Sequence, residues 1–152
     1  MTDQRKIYVA SSWRNAVQPD VVAALQSDGH LVYDFRNPRD GDTGFHWSRL
    51  DPNWKAWSPQ EFRAQLEGHP VAADGFKSDR AALDWCDLCV LVMPCGRSAH
   101  LEFGYAIGAG KASVIMLSDG EPELMYLFAD FRCIGIDEVR EAVKSLASGR
   151  AA

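Results

Sequence analysis

Residues 88–117 read LCVLVMPCGRSAHLEFGYAIGAGKASVIML. An apolar run too short for a buried helix predicts a strand over Leu88–Met93, covered on both faces. A helix follows over Ala99–Ala109, and Ser113–Leu117 is apolar again, a second strand. Parallel neighbours need a crossover connection, so strand, helix and strand in succession make a β-α-β unit. One residue does not fit a helix that only packs on a sheet. Glu102 lies early in it, followed by Gly104, Ala106, Gly108, Ala109 and Gly110, a helix with little bulk.

The alternation extends in both directions. Ile7–Ala10 and Leu31–Tyr33 read as strands flanking a helix over Pro19–Ser27, which has proline in its first turn and Gly29 just past its end. Ser58-Pro59-Gln60-Glu61 is a capping-box pattern opening a short helix, Pro59–Leu66. Phe76–Trp85 is a further helix, with Phe76, Ala82 and Leu83 turned to the core. Glu123–Asp130 reads as a helix, Arg132–Gly135 as a fifth strand and Glu138–Ala147 as a closing amphipathic helix. Right-handed crossovers then favour a five-stranded parallel sheet of order 2-1-3-4-5, helices on both faces, in one Rossmann- or flavodoxin-like α/β domain. Residues 34–74, rich in Gly, Pro, Asp and aromatics, are an insertion or lid on this frame.

Bulk properties narrow the classes. The 152 residues make one domain's worth of chain, 47% hydrophobic and 24% charged, as in ordinary globular proteins. A net charge of −5 without a basic face argues against binding a nucleic acid polymer. No apolar run approaches the roughly 20 residues needed to cross a membrane. Met-Thr-Asp-Gln-Arg-Lys leads straight into a strand, so no signal peptide is visible and a cytoplasmic location is expected. Cys86 and Cys89 form a C-x-x-C, but no second pair completes a zinc site, and all four cysteines read as structural thiols. No metal or organic cofactor is implied.

In the order 2-1-3-4-5 a ligand should bind beyond the carboxyl ends of strands 1 and 3, where the winding reverses. Two loops flank that crevice, Ser11–Asn15 and Pro94–Ser98. Ser98 is the expected N-cap of the helix bearing Glu102, whose positive end favours a carboxylate by roughly 0.3–1 kcal/mol. Glu102 is then either a dipole partner or a nucleophile. Asp79, on the preceding helix, is either solvated surface or the second of the two carboxylates that glycosidic cleavage uses. Ser12, Arg14, Arg97 and Ser98 offer hydroxyls and guanidinium groups at a helix N-terminus, a phosphate site in kind. Neither a P-loop nor Gly-x-Gly-x-x-Gly is present, so nicotinamide binding is disfavoured despite Asp34 ending strand 2. The aromatics of the insertion either build a satellite core or, through Trp47 and Phe45, stack a nucleobase.

Two stretches, KIYVASSWR (6–14) and SDRAALDWCDLCVLVMPCGRSAHLEFGYAIGAGK (78–111), resemble the nucleoside 2-deoxyribosyltransferase superfamily. That group includes deoxynucleoside 5′-monophosphate N-glycosidases and CMP or hydroxymethyl-CMP hydrolases. The resemblance spans most of the chain outside 36–74. It implies that Glu102 is the nucleophile attacking C1′ of the sugar, that Asp79 is its carboxylate partner, and that Tyr8 and Ser12 belong to the site, with Arg14 nearby. It assigns Gly96–Ser98 to the loop before the nucleophile. Many members have Gly-Thr-x-x-Glu there, whereas here the spacing from Gly96 to Glu102 is longer. Many also receive a small polar residue from a neighbouring subunit, and Glu123–Tyr126 offers none clearly.

These readings converge on cleavage of the N-glycosidic bond of a nucleoside or nucleoside 5′-monophosphate, by hydrolysis or deoxyribosyl transfer, in a homodimer or higher homo-oligomer. The rival is a nucleotide-sensing module on the same scaffold without turnover. A cytokinin-type phosphoribohydrolase would show Gly-Gly-x-Gly-Thr, which is absent.

Overall fold

In the computed structural model, which describes residues 3–147, the chain forms two compact units. One runs through Asp34 and resumes at Leu83; the other spans Phe35–Ala82.

The first unit is the sheet. Strands β1 (Lys6–Ala10), β2 (Leu31–Asp34), β3 (Leu88–Val92), β4 (Ala112–Leu117) and β5 (Phe131–Ile134) lie in the order β2-β1-β3-β4-β5, all parallel. Every residue of β3 is buried, as the central strand of a doubly covered sheet requires. Successive side chains point to opposite faces. Ile7, Val9, Val90 and Val114 join a core with Val21 and Leu25 of helix α1 (Gln18–Ser27) and Val139 and Val143 of α5 (Ile136–Ala147). Tyr8, Cys89, Leu91 and Ile115 alternate onto the other face. Helix α4 (Arg97–Gly108), which packs on β1, β3 and β4, buries Ala99, Phe103 and Ala106. Burying Phe103, the one large side chain of the three, contributes roughly 1.5–3 kcal/mol.

Local chemistry sets the ends of α1. Proline opens its first turn, and Gly29 follows its end at φ +91°, a left-handed conformation that glycine adopts without strain. Asp28, the C-terminal cap, accepts a two-pronged ion pair from Arg140 (2.8 and 2.6 Å), which ties α1 to α5.

The second unit holds α2 (Pro59–Gly68) and all but the last turn of α3 (Pro70–Trp85). The capping box is present: Glu61 N–H donates to Ser58 Oγ (3.2 Å), and Ser58 N–H donates to Glu61 Oε2 (2.7 Å). Trp47 meets Phe45, Trp57 and Phe62 edge-on, with ring centroids 4.9, 6.0 and 5.5 Å away. Trp57 donates its indole N–H to Asp51 (2.8 Å). A side chain on Gly75 would stand 2.9 Å from the Phe45 ring, so glycine is what lets α3 approach it.

Three local expectations are corrected. The stretch read as a helix over 123–130 is a 3-10 turn, Leu124–Phe128. Glu123 caps it through Met125 N–H (2.9 Å), and Asp130 is already bonded to Ser113 of β4, which leaves no length for a second turn. Helix α4 starts at Arg97, with Gly96 as its N-cap and no side-chain capping bond, so Ser98 is inside the helix rather than its cap. Phe76 is 66% exposed while Ala82 and Leu83 are buried: Leu83 opens the return to the sheet unit and Ala82 directly precedes it, whereas Phe76 lies two turns earlier within the Phe35–Ala82 unit.

Candidate active site

The carboxyl ends of β1 and β3 carry the two loops predicted to flank the crevice, and a buried side chain joins them. After β1 the chain turns at Ser12–Asn15, closed by Asn15 N–H on Ser12 O (3.0 Å), with Arg14 N–H on Ser12 Oγ (3.3 Å). The Asn15 amide, 4% exposed, donates to Val92 O (3.3 Å) and Pro94 O (3.1 Å) beyond β3. Its oxygen accepts from Val17 N–H (2.8 Å) and Gln18 N–H (3.0 Å), opening α1 by an Asx turn. Ser11 Oγ adds a bond to Val92 O (2.8 Å). Gln18, fully buried, donates to Asp34 Oδ1 at the end of β2 (2.9 Å). The ends of β2, β1 and β3 are thus linked by one polar chain.

Ser12 is half-buried on this turn, and Arg14, Gly96, Arg97 and Ser98 are exposed. Among the described residues neither guanidinium makes an ion pair. The donors named from the sequence therefore lie on the turn after β1 and at the start of α4, whose approaches the Asn15 side chain binds together.

Glu102 is half-buried on α4, a turn and a half from the helix start. Because α4 begins at Arg97, Glu102 lies past the first turn, where the dipole effect fades. Its charge is felt locally. Burial first, and the Glu102 carboxylate second, push the Cys95 thiol up to about 12. Burial, Cys86 and then Glu102 likewise raise Cys89, the register partner of Tyr8. Tyr8, Cys89 and Glu102 accordingly share the α4 face of the sheet, with the Tyr8 ring stacked on Tyr33 (5.1 Å). A thiol so hard to ionise is a poor nucleophile.

His100 links this region to the 3-10 turn. Its Nδ1 lies 2.8 Å from Gly96 O, which can only accept, so the proton is on Nδ1. Nε2 lies 2.9 Å from the Tyr126 hydroxyl, which is also 3.5 Å from Met93 Sδ, and the two rings stack at 5.8 Å. Cys95 Sγ is 3.5 Å from Met93 Sδ and 3.8 Å from His100 Nδ1. Burial first, then Cys95 and Glu123, raises the Tyr126 phenol.

Asp79, Trp47 and Phe45 belong to the Phe35–Ala82 unit. Asp79 is half-buried on α3. Trp47 is engaged on its flanks by three other rings, the arrangement of a satellite core. All four cysteines are free. Among the described residues no group of three or more His, Cys, Asp or Glu is placed to hold a metal, and no helix is long and apolar enough to cross a membrane.

Sequence reasoning did not single out Asn15, Gln18 or the His100–Tyr126 pair. Asn15 had a local signal, an Asx-turn residue three positions ahead of a helix start. The bond between His100 and Tyr126, 26 residues apart, had none.

No protein-family profile matches the chain, and no curated protein matches it in sequence. Solved structures do. A 2-deoxyribosyltransferase from the psychrotolerant bacterium Bacillus psychrosaccharolyticus aligns with a TM-score of 0.58 at 18% identity, over 88% of this chain and 88% of that one. BcmB, a CMP N-glycosidase from Clostridium botulinum, aligns over 92% of this chain and 96% of that one at 17% identity, with a TM-score of 0.48. The chain has the fold of the first of these proteins, in agreement with the resemblance carried by residues 6–14 and 78–111.

Proposed function

We propose that the protein is an enzyme of the nucleoside 2-deoxyribosyltransferase superfamily that breaks the N-glycosidic bond of a nucleoside or nucleoside 5′-monophosphate. A Glu102 oxygen attacks C1′, and the C1′–N bond breaks with its electron pair going to the base. Asp79 orients the sugar or supplies the proton the leaving base takes up. Water then attacks C1′ of the glycosyl ester and releases Glu102 in a hydrolase; a second base does so in a transferase. Tyr8 lines the same face. Ser12, Arg14, Gly96, Arg97 and Ser98 hold the 5′ end, and Trp47 and Phe45 stack the base.

The observation that carries this reading is Glu102 itself. It is a half-buried carboxylate on the helix that leaves the winding reversal of the sheet, close enough to Cys95 to shift it. The guanidiniums of Arg14, on the turn after β1, and Arg97, at the start of α4, make no ion pair among the described residues and favour a phosphate-bearing substrate, since arginine forks match anions. Incubating the protein with a panel of nucleosides and 5′-monophosphates and separating released base by chromatography tests it. Base release by wild type that is lost in Glu102→Gln supports the reading. Tight nucleotide binding with no release by wild type establishes the sensing module instead.

The active species is proposed to be a homodimer. Leu124, Met125, Leu127 and Phe128, all within one short turn, are 75, 54, 68 and 63% exposed. A cluster of exposed large apolar side chains tends to be covered by a partner. A monomer mass by light scattering at micromolar concentration would exclude it.

A further inference from the structure

We infer that Asn15 is a positioning residue, fixing the Ser12–Arg14 turn against the Pro94–Gly96 approach to α4, whose first residues are Arg97 and Ser98, so that both reach one anionic group. The inference rests on the proposed function for the identity of that group, a 5′-phosphate. Asn15 itself is buried, and it acts through the backbone groups it binds. Its role follows from four bonds. Two carbonyl acceptors, Val92 O and Pro94 O, demand N–H donors from one side of the amide. Two backbone N–H donors, of Val17 and Gln18, demand an oxygen on the other. The partners alone fix which end is nitrogen and which is oxygen.

Only asparagine meets both demands at this length. Aspartate keeps the oxygen for Val17 and Gln18 but turns a carboxylate toward two carbonyls. Serine carries one hydroxyl on a shorter arm, and glutamine adds a methylene that would push the loops apart. The side chain that pins Pro94, two residues before Gly96, belongs to the residue whose own N–H closes the turn bearing Ser12 and Arg14. Moving Asn15 therefore moves one set of donors relative to the other. Ser11 reaches only Val92 O, so it secures the strand end but not the loop beyond.

The test uses Asn15→Asp, with Asn15→Gln as the second variant should the first fail to fold. Inorganic phosphate is titrated against each protein by thermal shift. kcat and KM are measured on matched nucleoside and 5′-monophosphate pairs. A displacement approaching 1 Å costs up to about a hundredfold, so phosphate affinity should weaken and monophosphate KM rise together by about tenfold or more. kcat and nucleoside KM should move far less. A merely structural role would lower the melting temperature and depress both substrates alike, with phosphate affinity intact, and that result overturns the inference. So does a wild type that phosphate does not stabilise. If wild type binds phosphate yet releases no base from any substrate, the proposed reaction fails, while Asn15 is still judged by the phosphate titration.

Discussion

Replacing Glu102 with Gln has two consequences that can be read separately. Gln is nearly isosteric, so the fold should persist, but it removes the attacking carboxylate. Turnover should fall on the order of a thousandfold or more, the scale of nucleophile deletions in other enzymes. It also removes a negative charge beside Cys95. With that thiol at about 12, only roughly one molecule in a thousand carries thiolate at about pH 9. Burial is the larger cause of the shift and persists in the variant, so the thiol should drop yet stay above its ordinary value. Each unit of drop raises the thiolate population about tenfold. Cys95 is the half-exposed thiol, whereas Cys86, Cys89 and Cys133 are buried. Alkylation with iodoacetamide across alkaline pH, followed by peptide mass spectrometry, should thus show faster Cys95 labelling in Glu102→Gln. Labelling at the wild-type rate would mean the carboxylate does not face the Cys95 loop, and the crevice assignment would fall even if activity were lost. Normal turnover in the variant would end its role as nucleophile.

Arg14→Ala removes one charge-assisted bond of about 1.5–3 kcal/mol, so monophosphate use should weaken roughly 10- to 100-fold with nucleoside kinetics nearly unchanged; equal losses on both substrates refute the phosphate role. Gly75→Ala gains about 1 kcal/mol of helix propensity but drives a methyl to 2.9 Å from Phe45. Overpacking of that kind costs roughly 1–3 kcal/mol, so a lower melting temperature and altered tryptophan emission are expected, and a stabilised variant would contradict the packing. Stability should fall in two steps on acidification. Burial holds His30 below 6.5, so its contribution is complete above 6.5 and is lost as pH falls through its folded value. The Arg140 bond holds Asp28 below 3.8, so its contribution is complete above 3.8 and disappears as pH falls through its own lower value. Melting temperature against pH should lose the first step in His30→Gln, and an unchanged profile would dismiss that assignment.

The sheet could be read from the chain because its information is local. A fully buried run such as Leu88–Val92, a proline and glycine bracketing α1, and a capping box at Ser58–Glu61 each act within a few residues. Strand order then followed from handedness. What escaped reading depends on distant partners. Leu124–Phe128 looks helical by composition, but Asp130 is fixed to Ser113, and that bond decides how many turns fit. Gly96 caps α4 because the approach from β3 is held by Asn15 from 79 residues away, which favours no particular cap side chain. Glu102 was conspicuous as an acid in a helix of small residues. The side chain that binds its neighbouring loops was hidden, because asparagine before a helix looks like an ordinary turn former.

The excursion of the chain through Phe35–Ala82 between β2 and β3 bears on how the molecule assembles in time. The partners β1 and β3 lie 81 residues apart. The sheet cannot gain its middle strand until that long span has been synthesised and brought back. Early in synthesis β1 and β2 have only each other and α1, leaving the other edge of β1 open to misplaced pairing. If Phe35–Ala82 collapses first around Trp47, the free length to be closed is more than halved. Each halving lowers the entropic cost of closure by about 0.6 kcal/mol. The insertion then acts as a folding intermediary, and loosening its aromatic cluster should slow completion of the sheet.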